Sequence, residues 1–93
     1  MNKFRLITSA VKTSKGFNPS ITIKSRFAPN PFTFDHVVKN TDQEARSFAS
    51  MEIAEFREFE KANPEKFLDI TEWGEVDEAH QFFKKANAPG INV

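Results

Sequence analysis

Cysteine and tyrosine are absent from the 93 residues, and glycine occurs only at Gly16, Gly74 and Gly90. Without cysteine there is no disulfide framework and no thiolate chemistry, which fits a reducing compartment. Three scattered glycines build neither a phosphate-cradling loop nor a nucleophile elbow. No apolar run approaches the roughly 18 residues of a membrane span, and residues 1–10 lack the continuous apolar region of a signal peptide. A cytoplasmic location with no membrane partner is therefore expected. Histidine is scarce too: His36 and His80 cannot supply the three or four convergent ligands of a zinc site. His36 reads as a strand histidine whose neighbour Asp35 points to the opposite face, and His80 as a surface contact of Asp77, three residues before it. No catalytic residue, metal or cofactor is expected, and the chain does not read as an enzyme.

What is present is an ordinary globular balance, 39% hydrophobic and 28% charged, in a chain of single-domain length. Such a chain buries roughly two thirds of its unfolded surface, enough for one small core. Eleven phenylalanines against one tryptophan place most rings in that core, because phenylalanine has no polar handle. The surplus leaves Phe17, Phe32 and Phe34 as candidate exposed anchors. Net charge is zero, yet it divides. Residues 1–40 carry seven Lys/Arg against Asp35 alone, and residues 41–93 carry six Lys/Arg against twelve Asp/Glu. That asymmetry bears on partners and steering, not on fold.

Residues 41–63 organise the rest. Thr41 and Glu44 stand in capping-box relation, and Asp42 and Glu44 meet the positive end of the helix dipole. Ala45, Phe48, Ala49, Ile53, Phe56 and Phe59 then recur at helical spacing, until Asn63-Pro64 stops the helix. Before it, residues 3–13 and 20–27 read as strands of an antiparallel hairpin, joined by turn chemistry at 14–19. The first strand changes face near its middle, as a bulge would. Prolines at 29 and 31 interrupt the sheet in a loop, 29–34, and alternation over 32–39 predicts a third strand. Residues 67–73 fit either a fourth strand or a helix entry. Residues 75–86 form a second helix with Val76, Ala79, Phe82, Phe83 and Ala86 on its apolar side; residues 87–90 end it and 91–93 are a tail. The resulting fold class is α+β: an antiparallel sheet of three or four strands with one long and one short helix packed on one face.

Two surfaces follow. On the long helix Glu44, Met51, Glu55 and Glu58 gather on one flank, and Arg46, Ser50, Arg57 and Lys61 on the other. On the open sheet face the alternation places Lys3, Arg5, Lys24, Arg26 and Lys39, which would suit nucleic acid. Glu52 projects into the apolar stripe. The reading taken is that the helix overruns the sheet there and Glu52 is wet; pairing with a sheet cation or a raised pKa are the alternatives.

A strand-rich N-terminus followed by Thr41-x-x-Glu44-Ala45-x-x-x-Ala49 opening a helix, in a short chain without cysteine, resembles small phage accessory proteins. In size and α+β layout it is similar to some anti-CRISPR inhibitors. The resemblance implies a non-enzymatic inhibitor that blocks a host nucleic-acid-handling complex by binding it. Three functions stay open: a protein-binding modulator using the acidic helix flank or the loop 29–34, a nucleic-acid-binding module using the basic sheet face, and a small enzyme or metal protein, for which only His36 and His80 speak. The first is preferred. Overall neutrality weakens non-specific affinity for nucleic acid, and the alternation puts most rings away from the basic face.

Overall fold

A computed structural model describes residues 4–26 and 29–87. The chain runs β1 (Arg5–Thr13), β2 (Gly16–Lys24), β3 (Asn30–Thr33), α1 (Asp42–Ala62), α2 (Pro64–Phe67) and α3 (Glu72–Ala86). It is an α+β fold, with a three-stranded antiparallel sheet in the order β1-β2-β3 and the helices against one face.

The hairpin is tighter than the turn residues suggest. Ser14-Lys15 alone makes the turn, and Gly16 to Pro19 belong to β2, where they pair with Thr13 to Ala10. Thr13 stabilises the reversal, its hydroxyl donating to Gly16 O and accepting from Lys15 N. Gly16 is required: its φ is +144°, and a Cβ there would lie 2.5 Å from Lys39 O. The register is constant from Arg5↔Lys24 to Thr13↔Gly16, so β1 contains no bulge.

Pro19 in the central strand has a physical reason. Phe17 N and O both bond Lys39, so the odd-numbered residues of β2 direct their backbone groups towards the β3 side. Pro19 O accepts from Phe34 N, and proline has no N–H to leave unpaired where residues 35–38 turn away from the sheet. The third strand is accordingly short and early. Asn30–Thr33 pairs with β2, residues 35–38 leave the sheet, and Lys39 returns through an isolated bridge to Phe17. The expected loop 29–34 is thus mostly strand, and the expected strand 32–39 is mostly turn.

α1 matches its sequence signals closely. Thr41 is the N-cap and accepts from Glu44 N at 3.1 Å, while Asn63 closes the other end. Ala45, Ala49 and Phe56 are buried over the sheet, with Phe48, Ile53 and Phe59 packed at the margins. Residues 67–73 form no fourth strand: α2 is a single turn begun by Pro64, and α3 starts at Glu72, three residues earlier than expected, with Thr71 accepting from Gly74 N. Val76, Ala79 and Phe83 of α3 are buried, whereas Ala86 is exposed. Rings from β3, α1, α2 and α3 meet mainly edge to face or tilted, Phe34 against Phe32, Phe48 and Phe83, and Phe56 against Phe67, Phe82 and Phe83. Phe27 and the tail after Asn87, both assigned from the sequence, lie outside the described residues. Among the described residues no helix is long and apolar enough to cross a membrane.

Candidate partner-binding site

Because α1 lies stripe-down on the sheet, its flanks are fixed. Glu44, Met51, Glu55 and Glu58 are all exposed on one side. The first half of that flank is one wall of an open groove of about 600 Å³, lined by Lys39, Thr41, Glu44, Ser47, Phe48 and Met51. Phe48 is its apolar floor, with the Lys39 ammonium 5.4 Å above the ring. Met51 is 49% exposed at the rim, an unbranched and adaptable apolar contact. Further along, Glu58 meets Lys61 at 3.5 Å, a solvent-exposed pair of little energetic consequence.

Glu52 is not wet. It is 6% exposed, its Oε1 has no hydrogen-bond partner among the described residues, and burial, followed by the neighbouring Glu55 carboxylate, raises its pKa. The expectation that the helix overruns the sheet fails because Ala49, Glu52 and Phe56 all lie beneath the same α1 face. Burial disfavours the charged form of a carboxyl that has no cation beside it, and the adjacent Glu55 carboxylate acts in the same direction.

The opposite flank of α1 is bound into the fold. Arg46 Nε lies 2.6 Å from Asp42 Oδ1, and Nη1 reaches Thr8 O at 3.4 Å. Arg57 pairs with Glu60 at 2.8 Å, approaches Glu75 at 4.0 Å, donates to Phe4 O at 3.4 Å and covers the Phe4 ring. One guanidinium thereby ties α1 to α3 and β1 and balances two largely buried carboxylates.

The basic sheet face does not form a continuous stripe. Arg5 and Lys24 stand directly opposite each other at one end, but uncharged residues follow along that face, Ile7, Ser9 and Val11 of β1 beside Thr22, Ser20 and Asn18 of β2. Arg26 lies beyond β2, where its Nε and backbone N both donate to Glu72, at 2.6 and 2.8 Å. Lys39 stands on the helix side, over Phe48, and Lys3 lies outside the described residues. The anchors shift as well. Phe34 is fully buried, and Phe32 and Phe17 are half-buried. The exposed large apolar side chains instead include Leu68 (76%) and Trp73 (57%), near the start of α3. A helix begun at Glu72 puts Trp73 with Asp77 and Lys84 on the polar side, a signal available once Thr71 is recognised as the cap.

The histidines sit in separate settings. With β3 ended at Thr33, the turn brings His36 Nε2 to 3.7 Å from Asp35 Oδ1, correcting the expectation that the two point apart. Asn87 clamps this turn: its Nδ2 donates to Asp35 and its Oδ1 accepts from His36 N. The Asn87 donation holds the Asp35 carboxyl below its ordinary value, with a smaller contribution from His36. His80 packs edge-on to Phe32. Among the described residues no group of three or more His, Asp or Glu is placed to hold a metal ion. Comparison with protein-family models, curated proteins and solved structures found no match.

Proposed function

We propose that this chain is a non-enzymatic binding protein that captures a macromolecular partner on the acidic flank of α1 and thereby modulates or inhibits it. The observation that carries the reading is a coincidence of chemistries: Glu44 and Met51 line the same groove, and Phe48 is its floor. An apolar floor beside exposed carboxylates is the arrangement in which a few buried contacts give affinity and rim charges give steering. Glu55 and Glu58 extend the negative rim along the helix. The fitting partner surface is basic with an apolar projection. Complexes that hold nucleic acid carry such surfaces because they bind phosphates. The finer reading, inhibition of such a complex in the manner of the anti-CRISPR proteins that the sequence resembles, rests on this charge logic and on that resemblance. The nucleic-acid-binding alternative is weaker, since among the described residues Arg5 and Lys24 alone of the expected cations mark the open sheet face, and no aromatic ring of the strands points there to stack a base.

Site-specific photo-crosslinking tests the proposal. A benzoyl-phenylalanine at Met51 should give a discrete adduct in an extract of the native host, and the same group at the exposed Asp77 of α3 should not. Adducts of equal yield from both positions would remove the groove as the binding site.

A further inference from the structure

The two outer edges of the sheet are built in opposite ways. At β3 the strand is four residues long, and its odd-numbered residues face outward, because the even-numbered ones face β2. Outward-facing Pro31 has no N–H, and Thr33 O is occupied by Asp35 N. A short strand with a proline on its free side is a standard protection against further pairing. The edge of β1 has none of this. It runs nine residues in one unbroken register without proline or bulge. The odd-numbered residues of β1 pair with β2, so Leu6, Thr8, Ala10 and Lys12 turn their backbone groups outward. Those four N–H groups have no partner among the described residues. Two long contacts touch the edge carbonyls, Arg46 at Thr8 O and Arg57 at Phe4 O, each at 3.4 Å.

We propose that the free edge of β1 is a docking site for an extended acidic segment of a partner protein, which adds to the sheet as a fourth strand. The charge along the edge selects the occupant. β1 carries Arg5 and Lys12 and no carboxylate, and Arg46 reaches the same edge from α1. Arg5 and Lys24 further line an open groove of about 540 Å³ at the Phe4 end of the strand, whose other two arginines, Arg26 and Arg57, are already paired within the fold. A second copy of this chain fits poorly, since antiparallel pairing of two β1 strands lines up Arg5, Lys12 and Arg46 of both along one seam. An acidic segment meets Lys12 and Arg46 with opposite charge. The pleat divides its side chains: those on the helix side face Lys12 and the half-exposed Arg46 and should be Asp or Glu. Those on the open side lie beside Ile7 and Val11, 42% and 41% exposed, and should be β-branched. Backbone pairing would supply affinity and the alternation specificity. This surface lies across α1 from the Glu44–Met51 groove, and it stands or falls separately.

The test is an amide-resolved NMR titration with the capped peptide Thr-Glu-Val-Glu-Val-Glu-Thr, and with its analogue carrying lysine at each glutamate. In the free protein the Leu6, Thr8, Ala10 and Lys12 amides should exchange quickly while Ile7, Ser9 and Val11 are protected. The acidic peptide should shift and protect the first set, and the lysine peptide should not. Thr8→Pro removes an outward N–H without touching the β2 ladder, reproducing on this edge what Pro31 does on the other; it should weaken binding roughly tenfold or more. If circular dichroism shows that Thr8→Pro does not fold, Arg46→Glu takes its place, with the same loss expected. No shift at millimolar acidic peptide, equal shifts with the lysine peptide, or protection of the outward amides in the free protein accompanied by dimer in sedimentation would each overturn the proposal. Tighter binding of a single-stranded oligothymidylate than of the peptide would overturn it in favour of phosphate recognition.

Discussion

Along α1 the arginine side is committed to the fold and the glutamate side is not. Arg46 holds Asp42 and reaches the edge of β1; Arg57 holds Glu60, approaches Glu75 and donates to Phe4 O. Across the helix, Glu44 and Met51 border a groove, and Glu58 meets the exposed Lys61. Both sides carry charge at similar spacing, so charge alone does not distinguish structural from available residues. Burial of the counter-charge does. Glu60 and Glu75 are largely buried and hold Arg57 in place, whereas the acidic flank has no such obligation.

The largest effect is expected at the stripe that orients both flanks: Phe56→Ala should cost about 3–5 kcal/mol in urea denaturation, since Phe56 is fully buried among rings of α1, α2 and α3. Next comes the committed flank. Arg57→Ala should cost roughly 1–3 kcal/mol, because it removes the cation paired with Glu60, a carboxylate mostly out of water, and the link from α1 to Glu75. Glu55→Ala on the other flank should stay within about 0.5 kcal/mol, apart from any release of Glu52. Equal costs for these two changes would abolish the distinction.

A smaller, pH-dependent effect sharpens it further. Glu52 titrates above the ordinary carboxyl value of 4.5 in the folded protein, first through burial and then through Glu55. The folded state therefore holds this proton more tightly than the unfolded chain. Its stabilising contribution is full below pH 4.5 and is lost as pH rises through the folded pKa. Glu52→Gln mimics the protonated form, so the variant should gain stability relative to wild type as pH is raised from 4 to neutrality. A constant difference between the two across that range would mean that Glu52 is not desolvated.

Much of this fold was legible in the chain. The Thr41 cap, the stripe from Ala45 to Phe59 and the Asn63-Pro64 stop each correspond to a feature of α1. What was not legible depended on partners distant in sequence. Gly16 to Pro19 have turn composition, yet they form strand because the hairpin needs only Ser14-Lys15 and Lys39 returns to bond Phe17. The alternation of Phe32, Phe34, His36 and Val38 suggested one strand, but the proline at 19 removes a donor where that strand would have continued. Glu52 was placed correctly on the stripe and its environment misjudged, since periodicity says which way a side chain points and not how far the sheet extends beneath it. Of the candidate site, the acidic flank was readable from helical spacing. Phe48 as a groove floor was not, because the groove is completed by Lys39 from outside the helix. The basic sheet face failed as a stripe for a similar reason: Arg26 lies past the end of β2 and is taken by Glu72, 46 residues away.

The central claim is that the exposed carboxylates of α1 select the partner, and capture with and without them is the most direct measurement. The tagged protein and its Glu44→Lys/Glu55→Lys/Glu58→Lys variant would be incubated with an extract of the native host, at low and at physiological salt. Circular dichroism should show both folded alike. The expected result is a partner retained by the wild type, retained less as salt rises, and lost from the variant. Equal recovery of the same partner by the variant at both salt concentrations would contradict the account.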